Sequence, residues 1–436
     1  MPEDVARVAL FLARDDAAFV TAARSSWTAA IRRVPIFAKE WRVYCPLSVA
    51  GAYLRDPQLN RRRTQMKFGI NLASPLPRPW SEKSEHELFQ DAIRISALAD
   101  ELGFDYLWIG EHHFLEEYHH ISAAEVFMGA LTMATRKIRL AHGIMTLQPK
   151  MNHPVRAAER IACEDLFSGG RVDFGTGRGS GAREWGGFGI EEPETRSSWD
   201  ESLRAIVAMW QTEKFSWDGK HFKIPERNVI PKPLQKPHPP LWLACTNPGT
   251  QRLAGERGLG SIAFLYAGLE DVVERIKIYR EGLANPKDRL SDLVNDCFAF
   301  FPMCVVDKNE ARAKQIYLEG SEKQGRMLAP KSWLVINREL LDEKVRATMR
   351  GSGIDWEDIL AKRGSVVGSA ERAIDTLHAY AEAGIDMTVF NVLPGITGTA
   401  EVERNMRVLA QYVLPEFRHT QATPDQISEA HGANNH

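Results

Sequence analysis

Cysteine is scarce. The 436 residues hold five, at positions 45, 163, 245, 297 and 304, and no two are spaced as CxxC. An odd, scattered set excludes a disulfide framework or a zinc ribbon and fits reduced thiols. Long apolar runs are missing too: no stretch reaches the roughly 20 residues of a membrane helix, and no charged-then-apolar leader opens the chain. Nor does charge of one sign dominate, since Lys+Arg 55 against Asp+Glu 57 leaves a net charge of −2. Nucleic acid and anionic membrane both demand a basic surplus, so neither is an expected partner. What is present, 44% hydrophobic and 26% charged residues, describes a cytoplasmic globular protein able to bury its core without staples, and an enzyme by size.

From Met66 onward, short apolar runs alternate with helical patterns. The runs fall at 67–72, 105–110, 138–144, 171–175, 241–245, 261–265, 297–306 and 386–392. The helical patterns fall near 85–102, 122–135, 154–167, 196–212, 249–257, 269–283, 309–320 and 369–383. Eight of each predicts an α/β fold, a (β/α)8 TIM barrel in one domain over 66–420. Residues 214–240 carry prolines 231, 233, 237, 239 and 240 and read as an extended approach to the fifth strand. Residues 321–365 are too long for a plain connection and read as an insertion before the eighth helix, a lid with Met327, Trp333, Met349 and Trp356 to line it. Residues 1–65 form an N-terminal extension expected to be poorly ordered, and 421–436 a polar tail.

Chemistry belongs at the C-terminal ends of barrel strands. Glu111-His112-His113-Phe114 closes the second strand. Side chains alternate along a strand, so His112 shares the face of Tyr106 and Trp108, while His113 shares that of Leu107 and Ile109 and points to the helices. Two such histidines cannot ligate one metal, and His119, His120, His142 and His153 show no HExxH-like spacing, so no metal is expected. The plainer reading of His112 is a hydrogen-bonded structural residue.

Residues 171–181, RVDFGTGRGSG, run a strand into a glycine-rich turn. Gly177, Gly179 and Ala182 spell GxGxxA, but after the fourth strand and with no tight helix start following, so a dinucleotide module is not expected. Bare backbone around Arg178 suits close approach to a flat ring and a bidentate grip on phosphate. After the fifth strand, Asn247 can cap a helix that opens on Pro248, Gly249 and Thr250, whose free N–H groups suit an anion. An ordinary capped helix explains the same residues.

Two resemblances add to this. Residues 2–21, PEDVARVALFLARDDAAFVT, resemble the C-terminal end of short-chain dehydrogenases, without that family's nucleotide or catalytic motifs. Far more of the chain, about 66–415, resembles the bacterial luciferase-like flavin-dependent monooxygenases. The likeness rests on MKFGI, GFDYLWIGEHHF, NHPVRAAERIACEDLFSGGRVDFGTGRG, PKPLQKPHPPLWLACTNPGTQRLAGERGL and VVGSAERAIDTLHAYAEAGIDMTVF, in family order. It implies a TIM barrel that binds reduced FMN, supplied by a separate NAD(P)H:flavin reductase, and a homodimer formed through early helices. It also implies reaction with O2 through a flavin 4a-hydroperoxide to oxidise a small organic substrate such as an aldehyde or ketone. By position, His112 matches the catalytic histidine; Arg178, between Gly177 and Gly179, matches the phosphate arginine; and Asn247, Gly249 and Thr250 match the rest of the phosphate site. Gly177 stands where luciferase has cysteine, and Thr246 where it has an acid, which puts a long-chain aldehyde substrate in question. Two alternatives stay open: a deazaflavin-dependent, hydride-transferring oxidoreductase of the same fold, and a non-catalytic flavin-binding partner subunit.

Overall fold

The computed structural model describes residues 66–418 except 180, 265–267 and 329–355. The extension 1–65, the tail 421–436, and Trp333 and Met349 lie outside the described residues, as does the side chain of Met327.

Eight parallel strands close into a barrel: β1 Lys67–Leu72, β2 Tyr106–Ile109, β3 Arg139–His142, β4 Val172–Gly177, β5 Leu241–Ala244, β6 Gly260–Ala263, β7 Phe298–Phe300 and β8 Met387–Val392. Each pairs with its neighbour in that order, and β1 pairs with β8 from Lys67↔Met387 to Leu72↔Val392. The strands are buried on both faces over most of their length, which is why apolar residues occur on both faces of them, with polar residues such as Asp173 and Asn71 directed into the barrel. Around them stand α1 Ser84–Glu101, α2 Ala124–Ala134, α3 Pro154–Ser168, α4 Thr195–Gln211, α5 Pro248–Arg257, α6 Leu269–Ala284, α7 Glu310–Leu328, α8 Ala370–Ala383 and α9 Thr399–Val408. Gly169, Gly258 and Gly384 end α3, α5 and α8 in the left-handed conformation, which only glycine adopts without strain.

The expected TIM barrel is present, with four differences of detail. The apolar run 297–306 is two strands, because Cys304–Val306 leaves the barrel to pair with Val366–Gly368. The helical pattern at 369–383 precedes the eighth strand, and the helix after that strand is α9, whose polar sequence hides its buried face. Residues 321–328 are not part of a loop but continue α7, and Trp356 packs with Val305, Tyr317 and Val367 in a small apolar cluster, so it is core there. Between α4 and β5 the expected extended stretch contains an antiparallel hairpin, Phe215–Asp218 with Lys223–Arg227.

The barrel interior is filled from floor to mouth. At the floor Arg139 pairs with Asp173, whose other oxygen accepts the Trp242 indole N–H at 2.8 Å. Above it Trp108 meets Trp242 and Phe301 edge to face, at 5.1 and 5.3 Å between centroids. Gly260 makes room, since a Cβ there would lie 2.3 Å from the Trp242 ring. At the top Asn71 donates to Asn391 at 2.6 Å. The interior is therefore plugged, and any ligand must sit on the C-terminal mouth.

Candidate active site

Tyr106 and Trp108 do face the barrel axis, and the alternation carries past Ile109 into the loop. Glu111 is buried; its Oε1 accepts from Asn152 at 2.8 Å and binds His113 Nε2 at 2.9 Å. Asn152 in turn accepts from Arg160 of α3, which pairs with Glu125 of α2. His113 thus turns toward the helices, as the strand alternation predicts. Burial pushes its basicity down, but the hydrogen bond and charge of Glu111, with Glu184, outweigh this and leave it raised.

His112 goes the other way, toward Tyr118 and His119, with ring centroids at 5.5 and 5.1 Å. Its Nδ1 lies 3.2 Å from Glu184 Oε1, and the same oxygen accepts the His113 main-chain N–H at 2.9 Å. About a fifth of the His112 side chain is exposed, whereas Glu184 is buried. His119 is buried behind it with Nε2 on the Gly110 carbonyl at 3.1 Å. Burial first, then the neighbouring His112, push the His119 imidazole down to about 3, so it is neutral at ordinary pH. Phe114, next in the chain, has φ +60, an unusual backbone for a bulky residue, and packs on Phe188 at 5.3 Å over Gly187.

Arg178 leaves the end of β4. Its carbonyl accepts from Gln148 at 3.1 Å and from the Trp185 indole at 3.0 Å, and its guanidinium lies over the Trp185 ring at 5.4 Å. The guanidinium donates to Thr195 Oγ1 at 3.3 Å, at the start of α4, and no carboxylate pairs with it among the described residues. Burial and the like charge of Arg196 lower its basicity, opposed by Glu192; an arginine stays charged regardless. Gly179 has φ +90, and a Cβ on it would lie 2.6 Å from Trp185 Nε1, so the turn requires glycine. A Cβ on Gly177 would press on Ile144 at 2.9 Å. The long loop expected after this turn instead contains a short helix, Ala182–Gly187, which delivers Glu184 and Trp185 to the mouth.

Since β4 and β5 are paired neighbours, the loop after β5 adjoins this turn. There Asn247 Oδ1 accepts the Thr250 N–H at 3.0 Å, and Thr250 Oγ1 accepts the Asn247 N–H at 3.3 Å, a complete capping box. Gln251 N–H also returns to Asn247, and Pro248 has none to offer. The box takes up most of the donors expected for an anion, leaving the exposed Gly249 N–H of that first turn.

The remaining histidines are engaged separately: His120 with Glu85, His142 with Glu164 inside the β3–α3 layer, and His153 capping α3. Among the described residues no cluster of three metal-ligating side chains occurs, and no helix is long and apolar enough to cross a membrane. A shallow recess beside β8, lined by Tyr317, Asn391 and Asn405 among others, lies between α7 and α9 and holds neither His112 nor Arg178.

A histidine after β2 and an arginine after β4, at the mouth of a plugged TIM barrel, invite comparison with known proteins. The family model of the luciferase-like monooxygenases matches residues 66–387. The chain belongs to that family. Its members are oxidoreductases, and this chain is an enzyme of that kind. Among curated relatives, the oxygenase component of a flavin-dependent trigonelline monooxygenase from Acinetobacter baylyi is 22% identical over 77% of this chain and 92% of its own. An F420-dependent glucose-6-phosphate dehydrogenase from Amycolatopsis mediterranei is 24% identical over 76% and 95%. An uncharacterized protein, y4wF of Sinorhizobium fredii, is 32% identical, but the match spans 39% of this chain and 49% of that one. Among solved structures, the monooxygenase RslO1 of Streptomyces bottropensis superposes with a TM-score of 0.66 at 27% identity, covering 81% of this chain and all of that one. The oxygenating constituent of 3,6-diketocamphane monooxygenase from Pseudomonas putida, solved with FMN, gives 0.65 at 20% identity, covering 81% and 99%. The relatives of this chain therefore include both flavin-dependent monooxygenases and F420-dependent oxidoreductases.

Sequence reasoning did not find Glu184, Trp185, Thr195 or Gln148. None belongs to a spacing motif, and only the fold brings them to His112 and Arg178.

Proposed function

We propose that this luciferase-like enzyme binds reduced FMN across the mouth and uses it with O2 to oxidise a small organic substrate such as an aldehyde or ketone. The observation that carries this reading is Arg178: a half-buried guanidinium over the Trp185 ring and on the Thr195 hydroxyl, its main-chain carbonyl held by Gln148 and the Trp185 indole, with no carboxylate paired with it among the described residues. Such a cation suits an anionic ligand, and a phosphate offers the bidentate geometry it prefers. Gly177 and Gly179 keep the turn narrow, and Gly249, with Asn247 and Thr250 shaping its helix start, supplies a further donor. Reduced FMN, when bound, supplies the two electrons that activate oxygen. The protein's part is to bind and orient the ring system, exclude water over the plugged barrel, and move a proton at His112. His112 is partly exposed at the mouth and anchored by Glu184, as a proton carrier must be.

A relative described as an oxygenase component supports delivery of the reduced flavin by a separate NAD(P)H:flavin reductase. An exposed apolar stripe, Val126 and Met133 on α2 with Leu166 and Phe167 on α3, supports a homodimer in which a second copy covers these helices.

The F420-dependent relatives favour a second reading, hydride transfer with a deazaflavin at the same mouth. A non-catalytic partner subunit has less support, because His112 keeps a dedicated carboxylate. The deciding experiment mixes the protein with reduced FMN, and separately with a reduced deazaflavin, and follows binding and oxygen uptake. Tight FMN binding with oxygen consumption coupled to substrate oxidation supports the monooxygenase. Tight deazaflavin binding without oxygen uptake replaces it.

A further inference from the structure

We propose that Glu184 is the positioning residue for His112, fixing the imidazole as the Nδ1–H tautomer so that Nε2 is the nitrogen that takes up and releases the proton. The proposal rests on the reading of His112 as the proton carrier.

The tautomer follows from one shared oxygen. The His113 main-chain nitrogen can only donate, so Glu184 Oε1, 2.9 Å away, is an acceptor. An ionised carboxylate can only accept, so His112 Nδ1, which meets that same oxygen at 3.2 Å, is the protonated nitrogen. A neutral imidazole carries one hydrogen, so Nε2 is left with its lone pair.

The carboxylate is far from any role in its own helix. A glutamate in a first turn ordinarily serves that helix start, yet Glu184 reaches back 72 positions to the β2 loop. It is held there on two sides. Its neighbour Trp185 is 1% exposed and donates to the Arg178 carbonyl, which pins the short helix against the glycine turn. The His113 N–H fixes the carboxylate against the β2 loop. Tyr118 and His119 confine the His112 ring from its sides, and His119 competes for no proton, being neutral with its own Nε2–H spent on Gly110.

The test labels the full chain with 15N-histidine and reads the His112 tautomer by NMR without cofactor, assigning the signal by its loss in His112→Gln. Wild type should show the Nδ1–H form. Glu184→Gln keeps an acceptor and should keep that tautomer; Glu184→Ala should shift it toward the Nε2–H form that free imidazole prefers. In parallel, turnover should fall by about 10²-fold in Glu184→Ala, in kcat and not in the affinity for reduced FMN, with partial rescue in Glu184→Gln. An unchanged tautomer in Glu184→Ala alongside a lower melting temperature would make Glu184 merely structural and overturn the proposal. Should the alanine variant not fold, Glu184→Asp, one methylene shorter, gives the same reading. Retained activity in His112→Ala with a Glu184-dependent tautomer would instead sink the proton-carrier reading and leave the geometry standing, so the two failures are distinct.

Discussion

The two rims of the barrel mouth are built on different terms. On the β2 side, polar groups answer one another: Glu111 serves Asn152 and His113, and Glu184 serves His112 and the His113 main chain. On the β4–β5 side, the Arg178 guanidinium is in contact with a hydroxyl and an indole ring, with Arg196 near enough to oppose its charge and Glu192 to favour it without pairing. The first rim is largely answered within the folded protein, although Glu111 Oε2 is buried with no hydrogen-bond partner among the described residues. The second holds a positive charge that no ion pair among the described residues quenches, which is why we propose an anion as its partner. A proton carrier must be oriented before the reaction begins, whereas a phosphate site gains its affinity from charge left unpaired beforehand.

The strongest way to break this contrast is at its histidine. His112→Ala should leave the fold and reduced-FMN affinity nearly intact while turnover drops by about 10²–10⁴-fold, the contribution of a positioned proton-transfer group. His113→Ala should do the opposite: it strips a partner from the buried Glu111, at a cost of about 1–3 kcal/mol in stability, with a smaller loss of turnover. Melting temperature, flavin affinity and turnover measured for both variants decide this. An inactive His113→Ala beside an active His112→Ala would reverse the assignments.

On the other rim the loss should appear in binding. A charge-assisted contact to phosphate contributes about 1.5–3 kcal/mol, or roughly tenfold to more than a hundredfold in affinity. Arg178→Ala should therefore raise the Kd for reduced FMN by that factor and leave riboflavin, which lacks the phosphate, almost unchanged. Equal weakening of both ligands would show that Arg178 only shapes the turn.

Acid should separate two histidines of the same loop. His119 is held neutral, its value pushed from the ordinary 6.5 down to about 3. Between those values the unfolded chain binds a proton that the folded chain refuses. This contribution is therefore complete above pH 6.5 and is lost as pH falls toward 3. His113 is raised, so its contribution is present below the ordinary value and fades as pH rises through the raised one. Replacing His119 by glutamine should flatten the acid limb of the curve of melting temperature against pH; replacing His113 should not. An acid limb unchanged in His119→Gln would show that the buried imidazole does not drive it.

The barrel and the place of its mouth were legible in the sequence because eight apolar runs must be buried and strand alternation decides which side chains face inward. That His112 and Arg178 lie at the mouth was legible because each comes within three residues of the end of such a strand. Glu184 and Trp185 were not, since they sit in a stretch with four glycines between 181 and 189 that reads as loop. Their function depends on contacts with residues 72 positions back and 7 positions back. Such contacts have no local period. Helix α9 was missed for a different reason: its stripe of Val402 and Met406 is narrow and stands among many polar residues. At α5 the residues were found but their donors were overcounted, because a capping box spends on its own helix what the sequence offers to a ligand.

That last point gives the smallest and most discriminating effect. If Asn247 and Thr250 serve mainly the helix start, Asn247→Ala should cost about 0.5–2 kcal/mol of stability, the ordinary loss of an N-cap side chain. Flavin affinity should then change much less than in Arg178→Ala, because the Gly249 N–H, the donor left over at this turn, belongs to the backbone and survives the substitution. Glycine at position 247 should recover most of the stability, since it tolerates the cap backbone. Chemical denaturation and reduced-FMN titration on Asn247→Ala, Asn247→Gly and Arg178→Ala settle the order. A tenfold affinity loss in Asn247→Gly with stability preserved would mean that the Asn247 side chain itself grips the phosphate, and that the β5 rim, like the β4 rim, is finished by its ligand.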